Sequence, residues 1–325
     1  MRLAFTICTL SHLAQAKTMA DSLINNNPDY QIIIGLFDKV GPHDVSLVSQ
    51  YTLIEINEAQ VPQFEQLFDR YTPFEMSCLA KPYLAGWLLK QYPQAQKLLY
   101  FDSDIVFFDN LTSIEAELDK HSIVITPHVT QPMMGDGLPR LRNFLNAGLY
   151  NGGFFAIRRC DESLHFLDWW QDRVRHEGYF NFAEGMFVDQ LWLNYVPLFY
   201  PNVLISKNPG YNMAYWNMHE REVSRQNGRF VVNQIHPLVF FHFSGYHLSN
   251  PDDLSVHQNR YTFANRPDVK PLYAVFKQSL IDNRDTDFRK LPNAYHNPSY
   301  FYQKNKALRR IIIAGCRRIL RALNA

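Results

Sequence analysis

The sequence predicts an α/β fold of the doubly wound type. In the first half of the chain, short apolar runs typical of buried strands alternate with stretches whose apolar residues recur at helical spacing. A chain of 325 residues with 46% apolar content is long enough to bury one large core or two modest ones. No apolar run approaches the roughly 18 to 20 residues that span a bilayer. These observations favour helices packed around a central sheet.

The elements follow in order along the chain. Helices are predicted from Ala14 onward, over Glu75–Tyr92 and over Asp161–His176. Beyond about residue 250 the pattern loosens into aromatic, helical pieces, which predicts a helical C-terminal extension. The predicted strands are Leu3–Leu10, Gln31–Phe37, Leu53–Ile56, Leu98–Phe101, Ser122–Thr126 and Gly148–Ile157.

The first apolar run has a second interpretation. Arg2, the run itself and Ala14-Gln15-Ala16 together resemble a short signal peptide with a cleavage site. A buried strand is favoured because Thr6 and Thr9 interrupt the run and because the cysteine usage is not secretory. The four cysteines lie far apart without a Cys-x-x-Cys spacing, which argues against disulfides and zinc and predicts a cytoplasmic protein.

Charge divides the chain into an acidic body and a basic tail. The first 288 residues carry 23 Lys and Arg against 31 Asp and Glu, while the remainder carries nine Lys and Arg and no acidic residue. This asymmetry excludes general nucleic-acid binding, which requires a basic face on the folded domain. Residues 304–325 have the pattern of a basic amphipathic helix, which predicts peripheral attachment to the anionic inner face of the membrane. Docking of this helix on the acidic body is the open alternative.

Two carboxylates interrupt an apolar segment at the end of a predicted strand. Asp102 and Asp104 flank Ser103, between Leu98–Phe101 and a second apolar run. Both can converge on one hard divalent cation, and open α/β sheets bind ligands beyond the carboxyl ends of their strands. Alternatively, one Asp caps the following turn and the other is solvated.

Three further sets of polar residues stand out. His242 lies in an apolar strand, either as a metal ligand or as a hydrogen-bonded core residue. The run Asn151-Gly152-Gly153 is either an ordinary turn or a lining for a polar substrate. Asp189 and Gln190 lie in an apolar stretch and need polar partners, from the protein or from a substrate.

Taken in order and spacing, these motifs resemble those of the GT-A glycosyltransferases. The likeness is greatest to the family 8 retaining enzymes, which include bacterial lipopolysaccharide galactosyltransferases and glycogenin. It covers residues 1–250, about three quarters of the chain, and implies a Rossmann-like GT-A catalytic domain with a mixed central sheet. Residues 251–303 then form an aromatic, helical extension, either on the acceptor side or with a plain packing role.

The resemblance implies roles for individual residues. Asp102, Asp104 and His242 correspond to the ligands of a Mn²⁺ or Mg²⁺ ion that holds the diphosphate of a nucleotide sugar. Asp189 corresponds to the carboxylate that binds sugar hydroxyls, and Gln190 to the amide beneath the anomeric carbon. The remaining donor-binding positions are Thr9 at the nucleoside, Ser103 between the carboxylates, and Lys81, Asn151 and Gly152 near the sugar.

Two positions depart from the family pattern. The family commonly has a phosphate-binding Lys shortly after its His-x-x-Gly motif, where this sequence continues Gly245-Tyr246-His247-Leu248. We expect His247, His257 or an Arg to substitute for that lysine. The family also usually has Arg at the position of Lys81, and these two cations are not equivalent where a bidentate contact is needed.

The resemblance implies a metal-dependent transferase that moves a sugar, as from a UDP-hexose, to a glycan or glycolipid hydroxyl with retention. Such an enzyme would act in cell-surface polysaccharide or lipopolysaccharide synthesis. One alternative is a sugar-nucleotide nucleotidyltransferase, although the loop Thr9-Leu10-Ser11-His12 lacks the Gly, Lys and Arg expected there. A non-catalytic glycan- or nucleotide-binding module is the other alternative.

Overall fold

The computed structural model describes residues 1–68 and 70–295, together with residues 311, 312, 314–316, 318, 319 and 322. Residues 1–293 form one compact unit, and residues 294–325 form a second. The described residues of the C-terminal segment from 311 onward are helical and exposed. The basic amphipathic helix predicted over 304–325 lies mostly outside the described residues and stays a prediction. None of the described helices is long and apolar enough to cross a membrane.

Seven of the strands form a mixed central sheet. In chain order the strands are β1 (Arg2–Cys8), β2 (Tyr30–Leu36), β3 (Thr52–Glu55), β4 (Lys97–Phe101), β5 (Ile105–Phe107), β6 (Ile123–Pro127), β7 (Tyr150–Arg158), β8 (Phe180–Asn181), β9 (Met186–Phe187), β10 (Val203–Ile205), β11 (Val223–Gln226), β12 (Arg229–Val232), β13 (His236–Pro237) and β14 (Phe240–His242). The central sheet has the order β10-β6-β7-β4-β1-β2-β3. Its pairs are parallel except those of β7 with β4 and β6. The predicted α/β fold with a mixed sheet is therefore confirmed.

Helices flank this sheet. They are α1 (Leu13–Asn26), α2 (Phe64–Leu67), α3 (Pro73–Gln91), α4 (Thr112–Lys120), α5 (Leu141–Ala147), α6 (Asp161–Glu177), α7 (Val196–Phe199), α8 (Lys270–Asp282) and α9 (Asp285–Phe288). Helix α3 begins in a capping box, in which the Thr72 side chain accepts from the Glu75 backbone and Glu75 accepts from the Thr72 backbone. The buried face of α3 includes Lys81.

The strand interpretation of the first apolar run is confirmed, because β1 lies between β2 and β4 and is buried from its second residue onward. The apolar segment around the two carboxylates is divided between two sheets. Strand β4 belongs to the central sheet, whereas β5 pairs antiparallel with β14. The short connection between β4 and β5 therefore turns at the carboxyl edge of the central sheet, with Asp102 and Asp104 on it.

Aromatic side chains fill much of the core. The rings of Phe101 and Phe154 stack 5.2 Å apart, and both contact Phe240 of β14. A second cluster forms around β14, where the rings of Phe243 and Phe276 stack 4.3 Å apart. Because Phe276 belongs to α8, residues well beyond 250 are part of the same compact unit as the sheet.

Candidate active site

Two cavities meet at the turn between β4 and β5. The larger has a volume of about 720 Å³ and the smaller about 200 Å³. Asp102 and Asp104 line both of them. The two carboxylates therefore stand where one ligand could extend from one cavity into the other, at the carboxyl edge at which open α/β sheets bind ligands.

Asp102, Asp104 and His242 form one cluster, with one ligand atom of each within 4.8 Å of the others. His242 Nε2 lies 3.0 Å from Asp104 Oδ1 and 3.9 Å from Asp102 Oδ2. The register between β5 and β14 produces this approach, because it pairs His242 with Ile105, the residue after Asp104. The structure thus brings together the three predicted ligands, although they lie far apart in sequence.

Electrostatics in this cluster favour an added positive charge. Burial acts to lower the pKa of His242, but Asp104 and Asp102 outweigh it and raise that pKa above its usual value. Burial acts to raise the pKa of Asp104, but His242 holds it below its usual value. A proton on the ring balances one of the two carboxylate charges, whereas a divalent cation balances both.

The residues present fit a divalent cation. Two carboxylate oxygens and an imidazole nitrogen form a donor set that Mn²⁺ accepts, and Mg²⁺ also binds such carboxylates. Gly153 of β7 passes close beneath the cluster. A Cβ there would clash with His242 Cε1 and lie 2.8 Å from Asp102 Oδ2, so glycine leaves room for these two side chains to approach each other.

Lys81 connects this cluster to Asp189. Its Nζ lies 3.4 Å from Asp102 Oδ1 and 3.2 Å from Asp189 Oδ2, and it donates to the Gly152 carbonyl at 3.0 Å. Burial acts to lower the pKa of Lys81, but the two carboxylates outweigh it and raise that pKa. Burial, with a smaller contribution from Asp102, raises the pKa of Asp189 despite the opposing effect of Lys81. The lysine is therefore a fixed positive charge between two carboxylates.

Asn151, Gly152 and Gln190 are joined by hydrogen bonds. Gln190 Oε1 accepts from the Gly152 backbone at 2.8 Å and from Asn151 Nδ2 at 3.3 Å, while its Nε2 donates to the Ala147 carbonyl at 2.8 Å. The partners that Gln190 needs thus come from the protein itself. It begins a 3₁₀ helix over Gln190–Tyr195.

Basic side chains also line the smaller cavity. Arg289 and His247 line it together with His12, and Arg289 Nη1 lies 2.8 Å from His12 Nε2. Burial, with a contribution from Arg289, lowers the pKa of His12 to about 4, so this ring is neutral and accepts from the guanidinium. His12 Nδ1 lies 2.9 Å from Thr9 Oγ1, which connects Thr9 to this cavity.

The sequence predicted most, but not all, of the polar residues that line the two cavities. Ser103 and His247 line the smaller cavity, and His257 the larger. The predicted residues that line the larger cavity are Lys81, Asp102, Asp104, Asn151, Gly152, Asp189, Gln190 and His242. Arg289 and His12 were missed at this site, because 277 positions separate them and neither belongs to a local motif. The only available signal was the absent phosphate-binding lysine, which called for another cation.

The mouth of the larger cavity is lined by Phe74, Phe180, Phe182 and Phe187, here called the aromatic pad. Phe74 follows the start of α3, and the other three lie on the β8–β9 hairpin. Ring centroids within the hairpin are 4.8 to 5.4 Å apart. Phe74 and Phe182 are 56% and 47% exposed, a large apolar exposure beside a polar cavity.

No family model matches this chain. Among curated proteins, it is 27% identical over 292 residues to the uncharacterized protein YfnF of Bacillus subtilis (strain 168), which covers 86% of this chain and 93% of YfnF. It is 23% identical over 247 residues to the uncharacterized protein YfnD of the same organism, covering 75% of this chain and 77% of YfnD. Neither relative carries a described activity.

Solved structures resemble the fold of this chain. The apo structure of the bifunctional glycosyltransferase WbbM has a TM-score of 0.50 at 10% identity, covering 89% of this chain and 51% of WbbM. The galactosyltransferase LgtC, in complex with donor and acceptor sugar analogs, has a TM-score of 0.48 at 14% identity, covering 87% and 96%. The likeness to WbbM shows a fold used by glycosyltransferases, so the resemblance to GT-A enzymes is confirmed at the level of the fold.

Proposed function

We propose that the protein is a metal-dependent glycosyltransferase that moves a sugar from a nucleotide-diphosphate sugar, such as a UDP-hexose, to an acceptor hydroxyl. The observation that carries this proposal is the convergence of Asp102, Asp104 and His242 where the two cavities meet. In this arrangement, a bound Mn²⁺ or Mg²⁺ would be held by these three side chains. The ion would supply Lewis-acid neutralisation of the charge on the departing diphosphate.

The smaller cavity suits the diphosphate and the nucleoside. Arg289 brings a permanent charge, and His247 is exposed at the same cavity. A guanidinium binds phosphate oxygens well, since it offers several donors in a planar fork. Arg289 is thus our candidate for the role of the missing lysine, with Thr9 and His12 at the nucleoside side and Ser103 between the carboxylates.

The polar floor of the larger cavity suits the donor sugar. Asp189 and Lys81 present a carboxylate and an ammonium side by side, and Asn151 with Gly152 lines the adjacent wall. These groups can bind and orient sugar hydroxyls, which is the main contribution of a protein that positions two reactants. Gln190 lies beside Gly152, held by the backbone, where an amide would face the anomeric carbon.

Transfer with retention is the stereochemistry we propose. In a retaining reaction of this kind no strong protein base is required, and the leaving phosphate can take the proton from the acceptor. Asp189 would be the candidate base in an inverting reaction, but its Oδ2 is in contact with Lys81 Nζ at 3.2 Å. That ion pair supports a hydroxyl-binding role for this carboxylate.

The acceptor would enter at the aromatic pad of the larger cavity. Exposed phenylalanine rings can stack on the apolar face of a sugar or contact a lipid, in line with a glycan or glycolipid acceptor in cell-surface polysaccharide or lipopolysaccharide synthesis. Of the predicted extension over 251–303, His257 lines the larger cavity. Attachment of the cytoplasmic enzyme to the membrane through its basic tail remains part of this proposal.

A donor screen tests the proposed function. Nucleotide-diphosphate sugars are added with Mn²⁺ or with EDTA, and the melting temperature and the release of nucleotide are measured. We expect one donor to stabilise the protein only with Mn²⁺, since ligand at a hundredfold its Kd adds about 2.7 kcal/mol. We also expect slow metal-dependent hydrolysis of that donor.

The same screen separates the alternatives. Stabilisation by a donor without any hydrolysis or transfer would favour a binding module. Formation of a sugar nucleotide from a sugar phosphate and a nucleoside triphosphate would identify a nucleotidyltransferase. Failure of every nucleotide and donor to bind, with or without metal, would overturn the proposal.

A further inference from the structure

Asn212 is a buried residue that none of the motifs includes. It lies in the loop between β10 and β11, is 1% exposed, and has a left-handed backbone with φ 50°. Its Nδ2 is 2.9 Å from both Asn151 Oδ1 and Thr126 Oγ1, and its Oδ1 is 3.2 Å from His242 Nδ1. One amide therefore connects Asn151, at the start of β7, to the candidate metal ligand.

Backbone groups at either end fix the direction of each hydrogen bond between these side chains. The Gly153 N–H can only donate, and it lies 3.0 Å from Asn151 Oδ1, so that atom is the amide oxygen. Asn151 Nδ2 then faces His128 Nε2 at 3.2 Å. At the far end, His128 Nδ1 is 3.2 Å from the Leu149 carbonyl, which can only accept.

The hydrogen bonds at Gly153 and at His128 require the same orientation of the Asn151 amide. His128 donates from Nδ1 to the carbonyl, which leaves Nε2 to accept from Asn151, as a neutral imidazole requires. Burial lowers the pKa of His128 to about 4, in keeping with a neutral ring. The orientation of the Asn151 amide is thereby fixed from both of its sides.

The orientation of Asn212 follows. Since Asn151 Oδ1 accepts, Asn212 must turn its Nδ2 toward it and its Oδ1 toward His242. His242 Nδ1 must then carry a proton and donate. In the neutral ring this leaves the lone pair on Nε2, which faces Asp104 Oδ1 at 3.0 Å. Two lone pairs at that distance repel each other unless a proton or a cation lies between them.

We propose that Asn212 is a positioning residue that holds His242 in the Nδ1–H form, so that Nε2 is the metal-binding nitrogen. Because the same amide donates to Asn151, it also connects the tautomer of His242 to the residue that would line the donor sugar. The inference rests on the proposed function, because the cation is the one proposed there. Outer hydrogen bonds of this kind fix the tautomer and ring direction of ligating histidines, and their loss typically weakens metal binding about 10- to 100-fold.

The test compares variants that keep the left-handed backbone. Asn212→Gly removes the amide, whereas Asn212→Asp retains an oxygen that can accept from His242 Nδ1. Thr126→Val is the matched control, since it removes another partner of Asn212 and leaves the His242 contact. The first measurement is the affinity of the full-length protein for Mn²⁺ alone, followed by the paramagnetic resonance signal of free Mn²⁺.

We expect Asn212→Gly to bind Mn²⁺ at least about tenfold more weakly, with most of the affinity restored in Asn212→Asp and kept in Thr126→Val. Unchanged Mn²⁺ affinity in folded Asn212→Gly, judged by near-ultraviolet circular dichroism, would overturn the proposal. So would an equal loss in Thr126→Val, because that result would assign the effect to packing alone.

The second measurement reports the tautomer without metal. Long-range ¹H–¹⁵N spectra of histidine-labelled, metal-free protein in alkaline buffer should show His242 with its proton on Nδ1, the signal being identified by its loss in His242→Gln. Asn212→Gly should populate the other tautomer. A wild-type proton on Nε2 would refute the positioning role. Absence of any Mn²⁺ binding by the wild type would instead count against the proposed function, and these spectra would still decide the role of Asn212.

Discussion

The floor and the mouth of the larger cavity are built in opposite ways. On the floor, Lys81, Asp189 and His242 are 7%, 1% and 3% exposed, and each has charged or hydrogen-bonded partners at defined distances. At the mouth, Phe74 and Phe182 are 56% and 47% exposed, and the hairpin rings contact one another. Polar groups at the floor are thus fixed before any ligand arrives, whereas the mouth offers an unfilled apolar surface.

Specificity for the donor and specificity for the acceptor would therefore reside in different regions. A preorganised polar floor binds one ligand geometry and strengthens charge interactions by excluding water. An apolar pad of exposed rings adds contact area without fixed hydrogen bonds. If the proposed donor and cation bind at the floor and the acceptor binds at the mouth, mutations in the two regions should have different effects.

The largest effect is expected at the carboxylates. Asp104→Asn or Asp102→Asn should lower metal-dependent donor hydrolysis by at least about a hundredfold, since each removes a charged ligand of the cation. The fold should survive, because both side chains lie at a cavity and the substitution keeps their shape. Initial rates over a Mn²⁺ series, with circular dichroism spectra, check this. Full activity of wild-type enzyme after EDTA treatment would show that the floor does not hold a required metal.

The next effect is on stability at the floor. Lys81→Met leaves Asp189 and Asp102 without their cation, and loss of one partner of a buried ion pair typically costs about 3 to 5 kcal/mol. Urea unfolding should show this loss, with part of it recovered in the double variant Lys81→Met with Asp189→Asn. Phe182→Ser at the mouth is the comparison, expected to lower the unfolding free energy by only about 1 kcal/mol, because the ring is half exposed and loses its contacts with two neighbouring rings. Equal losses of unfolding free energy in Lys81→Met and Phe182→Ser would contradict the proposed difference between the floor and the mouth.

A smaller effect is expected at the smaller cavity. Arg289→Gln should weaken binding of UDP about tenfold, as loss of a charged hydrogen bond costs about 1.5 kcal/mol or more. Binding of uridine, which has no phosphate, should change little. Lys290→Gln is the matched control, because Lys290 is the next residue in the chain, its side chain is 71% exposed, and it does not line the cavity. If both variants bind UDP alike, the phosphate role of Arg289 is wrong.

The smallest effect is expected at the mouth. Phe182→Ser should raise the KM for an acceptor several-fold, in proportion to the apolar area lost, while donor hydrolysis without acceptor stays unchanged. Phe199→Ser, an exposed phenylalanine that does not line the cavity, is the control. A fall in donor hydrolysis in Phe182→Ser would mean that the mouth also serves the donor.

The sequence predicted the parts of this site that local patterns encode. Asp102 and Asp104 interrupt an apolar strand, and this contrast marks the carboxyl edge of the sheet without any structure. His242 was ambiguous from its own surroundings, and only the ordered resemblance to GT-A enzymes favoured the ligand role. The strands and the α/β fold followed from apolar runs of characteristic length.

Residues that depend on tertiary contacts could not be predicted. Arg289 belonged to the basic C-terminal region, whose charge pattern predicted membrane attachment or docking on the acidic body, yet it contacts His12 across 277 positions. Asn212 lies in a loop with no local signal, and its role follows from which backbone groups surround Asn151 and His242. Hydrogen-bond networks between distant segments are set by packing, which residue periodicity does not report.

The proposed cation site is tested by calorimetric titration of UDP into wild type and into His242→Ala, each with Mn²⁺ and with EDTA. We expect wild type to bind UDP with Mn²⁺ and to lose this binding in EDTA. We also expect His242→Ala to bind the Mn²⁺ complex at least about tenfold more weakly. Equal affinity of wild type with Mn²⁺ and with EDTA, or unchanged affinity in His242→Ala, would contradict a cation held by Asp102, Asp104 and His242.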